Sequence, residues 1–310
     1  MRKIHTQRKM RMWQQNRVSF ASEIFSRRQV GKIPQAGKAE NSAGQRIAMK
    51  EFEIIRYGNK PKLKNPVLVE GLPGIGNVAR IAVDFLVDKL KAKKYATVYS
   101  VYFPNSVFVN DDKTVEMPKL EFYWYKGKKK NERDAIFLIG DAQPGSEHAS
   151  YNFSKYLVDI AAELGVKEII TLGGINAPQS VQKPTVFGAV TNKDYVSKLQ
   201  KIGVRFDRKG AVVIVGAAGL MLSLGKIQKM NGFALLAETS ADPRSIGLFA
   251  AESILDVLIK YLNIKISLKD IRADIRTMTT GIPSKKDVLK KKLIKRFNLP
   301  QESVPTHYIG

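Results

Sequence analysis

The chain has 310 residues, 44% of them hydrophobic, and a formal net charge of +24, enough apolar content to bury a core in one domain or two small ones. Cysteine is absent, which excludes disulfides, thiol nucleophiles and thiolate metal sites, and three histidines (His5, His148 and His307) are too few for a histidine metal cluster. No run of about eighteen apolar residues occurs and no apolar stretch follows the basic N-terminus, so neither a membrane span nor a secretory signal is expected and the expected setting is cytoplasmic.

Residues 1–48 carry 11 Lys/Arg against two acids and read as a polar, disordered leader with at most a transient helix near Met10–Phe20. Met49 directly precedes the first strand-like segment, and two readings stay open. Either the natural chain begins at Met49 and the leader is an artefact, or the leader is a genuine basic arm.

From Met49 onward, strand and helix patterns alternate. Strand-like runs fall at Glu51–Ile55, Val67–Glu70, Ala96–Phe103, Leu120–Tyr125, Ala135–Ile139, Glu168–Leu172 and Ala211–Val215. Helix-like runs fall at Asn77–Lys91, Ser150–Leu164, Lys193–Ile202, Gly219–Met230 and Pro243–Tyr261. Continuous apolar runs such as AIFLIG and VVIVGA predict strands buried on both faces. Glycine-rich turns between strand and helix mark βαβ units. The aromatic-rich segment 96–125 predicts a hairpin or a mixed edge. The expected fold is a three-layer α/β/α sandwich, with one core domain over 49–263.

Past Tyr261 the character changes. A short helix is expected within 264–280, after which Gly281 and Pro283 break the chain. Residues 285–297 form a basic amphipathic stretch with Val288, Leu289, Leu293, Ile294 and Phe297 on one face. The final NLPQESVPTHYIG contains two prolines and is expected to be exposed and mobile. Residues 264–310 thus read as a partly helical, flexible tail. Residues 263–310 hold 11 cations against four acids, and the middle 49–262 keeps a net charge of only +8, so the excess concentrates at the two ends. Basic ends suit phosphate neutralisation. The core carries no recognisable nucleic-acid motif, so nucleic acid is not the expected partner.

Four glycine-rich strand ends are the candidate sites. GLPGIGNVAR (Gly71–Arg80) follows a strand and opens a helix, which makes Gly74, Gly76 and Asn77 a candidate anion-binding loop. The next strand ends without the acid that would hold a ribose, and no Lys-Ser/Thr pair follows Gly76, so neither a dinucleotide fingerprint nor a P-loop is complete. GDAQPGSEHAS (Gly140–Ser150) gathers Asp141, Glu147 and His148, a carboxylate and an imidazole able to act as base and orienter. No G-x-S-x-G elbow supplies a nucleophile. Ordinary structure also uses such residues: Asp141 to bond the following backbone, Glu147 to favour a helix N-terminus. LGGINAP (Leu172–Pro178) and GAAGLMLSLGKIQKMNG (Gly216–Gly232) supply the other two strand ends.

Taken in order, GLPGIGNVA, YFP, MPKLEFYWY, LIGDAQP, ELGVKEIITLGGI, VFGAVTN, GAAGLMLSLGK and LAETSADP resemble the archaeal proteasome-assembly-chaperone (Pba-type) family over residues 50–265. The resemblance implies a sandwich related to nucleoside phosphorylases, homo-oligomers, no cofactor or metal, no established catalytic activity, and help in assembling proteasome α and β subunits. Such proteins often end in a hydrophobic residue, tyrosine and any last residue, and insert that tail between neighbouring α subunits. Here the chain ends His307-Tyr308-Ile309-Gly310, with tyrosine third from the end rather than second. The implied tail contacts to proteasome α subunits are His307, Tyr308, Ile309 and Gly310, with Leu293 and Phe297 expected to pack once the basic stretch Lys285–Arg296 has steered the tail to an acidic surface. A tetramer is the expected assembly, with a pentamer next. The alternative is a nucleotide- or phosphate-dependent, ligase-like enzyme working in the crevice between Gly74/Gly76 and Asp141.

Overall fold

The most apolar runs of the sequence occupy the centre of one sheet. In the computed structural model, which describes residues 50–110, 112–177, 181–208, 213–242 and 245–279, β2 (Val67–Gly71) and β7 (Ala135–Gly140) are buried at every residue. They pair in parallel, and β8 (Glu168–Asn176) and β10 (Asn231–Thr239) continue the parallel block beyond β2. On the other side β6 (Leu120–Tyr125), β3 (Lys93–Ser100) and β1 (Phe52–Arg56) add antiparallel strands, while β9 (Val186–Val190) closes the far edge antiparallel to β10. The strand order is β1-β3-β6-β7-β2-β8-β10-β9. A small hairpin, β4 (Phe108–Val109) with β5 (Val115–Glu116), stands between β3 and β6 in the chain.

Helices cover both faces, as two-sided burial of the central strands requires. On one face lie α1 (Val78–Leu90), α5 (Leu248–Leu262), α6 (Lys269–Thr279) and the short α3 (Asp194–Gln200). On the other lie α2 (Glu147–Glu163) and α4 (Ala217–Ile227). The strand period of two divides the core accordingly. Val67 and Val69 pack with Val83 and Leu86 of α1 and Leu255 of α5, whereas Leu68 packs with Phe153 and Leu157 of α2 and Met221 of α4. The fold is thus the three-layer α/β/α sandwich that the alternating pattern predicts.

α6 joins the same core. Ile271 and Ile275 are buried with the α1/α5 cluster, and ion pairs from Lys89 to Asp270 and from Arg272 to Glu252 hold the helix along α1 and α5. The last described residue, Thr279, ends this helix.

The described part of one predicted strand, Ala211–Val215, lies outside the sheet. Residues 213–215 of the AVVIVG run lie outside any strand, with Val213 and Val215 80% and 85% exposed. The place beside β8 is taken instead by β10, which matches it residue for residue from Asn231↔Glu168 to Thr239↔Asn176.

Candidate functional site

In open α/β sheets the loops after the parallel strands form the natural crevice. Here the described strand ends and the residues that follow them are 71–77 for β2, 140–147 for β7, 173–177 for β8 and 239–242 for β10. Their backbones pack on one another closely. Gly76 takes a left-handed φ of +63°, and a Cβ there would stand 2.9 Å from Thr239 Oγ1. Its carbonyl accepts a 2.9 Å bond from Gly247 N, which opens α5. A Cβ on Gly174 would lie 2.4 Å from the Ile75 carbonyl oxygen, so β8 approaches the loop as nearly as backbone can. Asn77, also left-handed, donates its N–H to Gly74 O at 2.9 Å, so this candidate anion donor closes a turn of its own loop.

The side chains in the crevice are committed to neighbours. Gln143 donates to Pro73 O at 2.6 Å and accepts from Ala217 N at 3.0 Å, tying the loop after β7 to the loop after β2 and to the start of α4. Asp141 forms a buried ion pair with Arg80 of α1 at 3.0 Å, and its second oxygen accepts from Lys119 N at 3.2 Å. Arg80 also donates to the Gly140 carbonyl. Glu147 and His148 are exposed on the first turn of α2, and the one hydrogen-bond contact described for the His148 ring is with Asn152 at 3.2 Å. Ser146 caps that helix by accepting from Ala149 N at 3.3 Å. Asp141 is thus held by Arg80 and Lys119, while Glu147 and His148 face solvent.

Glu70 is the buried carboxylate that sequence reasoning passed over. It is 1% exposed near the end of β2, with Oε1 accepting from Leu72 N at 2.8 Å and Oε2 from Leu172 N at 3.3 Å. Burial pushes its pKa up to about 7, against the two backbone bonds that favour the charged form. The register pairs it with Thr171, whose buried hydroxyl has no hydrogen-bond partner. The signal was present in the sequence as a single acid inside the apolar run VLVE.

Among the described residues no group of three or more His, Cys, Asp or Glu is placed to hold a metal ion, and no helix is long and apolar enough to cross a membrane. Leu293, Phe297, His307, Tyr308, Ile309 and Gly310 lie outside the described residues.

The profile of the PAC2 family matches residues 68–284. An uncharacterized protein of Methanocaldococcus jannaschii is 32% identical over 251 residues, which is 80% of this chain and 93% of that protein. The crystal structure of Pyrococcus furiosus PbaB, an archaeal proteasome activator, matches with a TM-score of 0.70 at 32% identity, covering 79% of this chain and 99% of that one. P. furiosus PbaA, an archaeal homolog of proteasome-assembly chaperone, matches with a TM-score of 0.57 at 22% identity over 78% of this chain and 99% of that one, a likeness of fold alone.

Proposed function

The chain belongs to the PAC2 family, and from that premise we propose that it is a non-enzymatic chaperone or activator of proteasome assembly in the cytoplasm, binding proteasome α subunits through its C-terminal residues. The observation that carries this reading is the likeness to the activator PbaB at 32% identity and a TM-score of 0.70 over 99% of that chain. The crevice supports it from the other side. The carboxylates nearest the glycine-rich loop, Glu70 and Asp141, are occupied by backbone N–H groups and by Arg80.

In this reading Tyr308 and Ile309 supply an aromatic face, a hydroxyl and an aliphatic group to a pocket between α subunits. A homo-oligomer presents several such tails, so weak individual contacts add through multivalency. The test is capture of purified α subunits by the full chain and by a form lacking residues 301–310. Loss of capture with oligomer size unchanged in light scattering is the expected outcome, and undiminished capture by the shortened form defeats the tail model. A thermal-shift series with nucleotides and inorganic phosphate addresses the enzymatic alternative, with no shift expected.

A further inference from the structure

The charge of the core is not spread evenly over its surface. The described strand ends 71–77, 140–147, 173–177 and 239–242 contain no Lys or Arg, although Lys183 and Arg244 follow in the connections after β8 and β10. The connections at the opposite edge are basic. The segment entering β2 (57–66) carries three lysines and no acid, and the turn entering β7 (126–134, KGKKKNERD) carries five cations against two acids. Lys62, Lys64, Lys167 and Lys229 are all exposed there. Both acids of the β7 turn are spent on local structure: Glu132 accepts from Lys128 N and Lys129 N, and Asp134 from Gly127 N and Lys64 N.

At this edge a cavity of about 410 Å³ opens between α3 and α5, lined by Arg133, Glu168, Lys198, Ile202, Lys260 and Tyr261. Its single acid is already matched. Glu168 accepts from Arg133 at 2.9 Å and from Tyr195 Oη at 3.0 Å. Lys198 and Lys260 are exposed at the cavity, with Asp256 the acid that faces Lys260 from one turn earlier on α5. The cavity therefore presents surplus positive charge, three cations against one acid, beside Ile202 and Tyr261.

We propose that this basic edge is a docking surface for an acidic polypeptide, with the Arg133–Lys198–Lys260 cavity receiving one of its carboxylate side chains. Charge complementarity selects an acidic partner. The choice of polypeptide over nucleic acid follows from the aromatic rings. Bases bind by stacking on open rings. On this edge the ring faces are already covered by cations: Arg133 lies over Tyr261 at 5.4 Å, Lys93 over Trp124 at 5.3 Å and Lys128 over Tyr125 at 5.8 Å.

The test uses the full chain with two labelled polyanions of equal charge, poly-L-glutamate and an oligothymidylate. Binding is measured for the wild type, for Lys198→Glu/Lys260→Glu at the cavity, and for Lys50→Glu/Lys113→Glu near the other edge. The two variants change the net charge equally, and all four lysines are exposed. The expected result is at least an about tenfold loss of poly-L-glutamate binding in the cavity variant, with the control within about twofold of wild type. Circular dichroism confirms that both variants keep their fold. Equal losses in the two variants, no loss in the cavity variant, or oligothymidylate bound as tightly as poly-L-glutamate would each overturn the proposal.

Discussion

At the scale of single residues, two buried groups set the expected energetics. Glu70 titrates from about 7 in the folded chain against 4.5 for a free carboxyl, because burial disfavours its charge. The folded state then holds the proton over a window in which the unfolded chain has lost it. Stability is full below pH about 4.5 and falls as the pH rises to about 7, by roughly 3 kcal/mol. Urea unfolding at pH 5 and pH 8 should show the fall, and Glu70→Gln should flatten it; an unchanged slope in the variant means other groups carry it. Arg80 and Asp141 make the second case. Their side chains are 9% and 4% exposed, so Arg80→Met strands a carboxylate in the interior and is expected to cost about 3 kcal/mol or more in denaturant unfolding. Neither role is written in local sequence. One partner of Asp141 and one of Glu70 stand 61 and 102 residues away, and no periodicity reports such a meeting.

At the scale of elements, apolar runs were legible where both faces of a strand are covered. AIFLIG and VLVEG became the central strands β7 and β2, and the 3.6-residue pattern located every helix from α1 to α6 within a few residues. Two misses have separate causes. AVVIVG is as apolar as a central strand, yet Val213 and Val215 lie exposed, because β10 fills the slot beside β8. β9 was missed because Gly188 interrupts VFGAV, and that glycine is needed where a Cβ would meet the Phe206 ring at 2.6 Å. Close approach also predicts the response of the crevice loops. Gly174→Ala forces a Cβ against the Ile75 carbonyl and should lower stability by about 1–3 kcal/mol. Gly145→Ala meets nothing within 4 Å and should stay within about 0.5 kcal/mol of wild type. Thermal melts of the pair measure how tightly the loops are joined; equal melting temperatures would mean the loop yields.

At the scale of the whole molecule, lysines gather at the connections that enter the parallel strands, while the described ends of those strands, 71–77, 140–147, 173–177 and 239–242, carry none. Any acidic partner held at those connections should dissociate faster and bind more weakly as salt rises from about 0.1 to 0.5 M, because exposed charges are screened over about 10 Å or less. Salt-independent affinity, read by titration at the two salt concentrations, would mean the contact is apolar. From the sequence alone came the α/β class, the buried strands, the exclusion of thiol chemistry and the family resemblance, since each rests on composition, local periodicity or ordered motifs. The tertiary structure alone decided the strand order, the burial of Glu70, the pairing of Arg80 with Asp141 and the gathering of lysines from four separate connections along one rim. These depend on which distant segments become neighbours, and that is settled by packing the whole sheet between its helices rather than by any stretch of chain read alone.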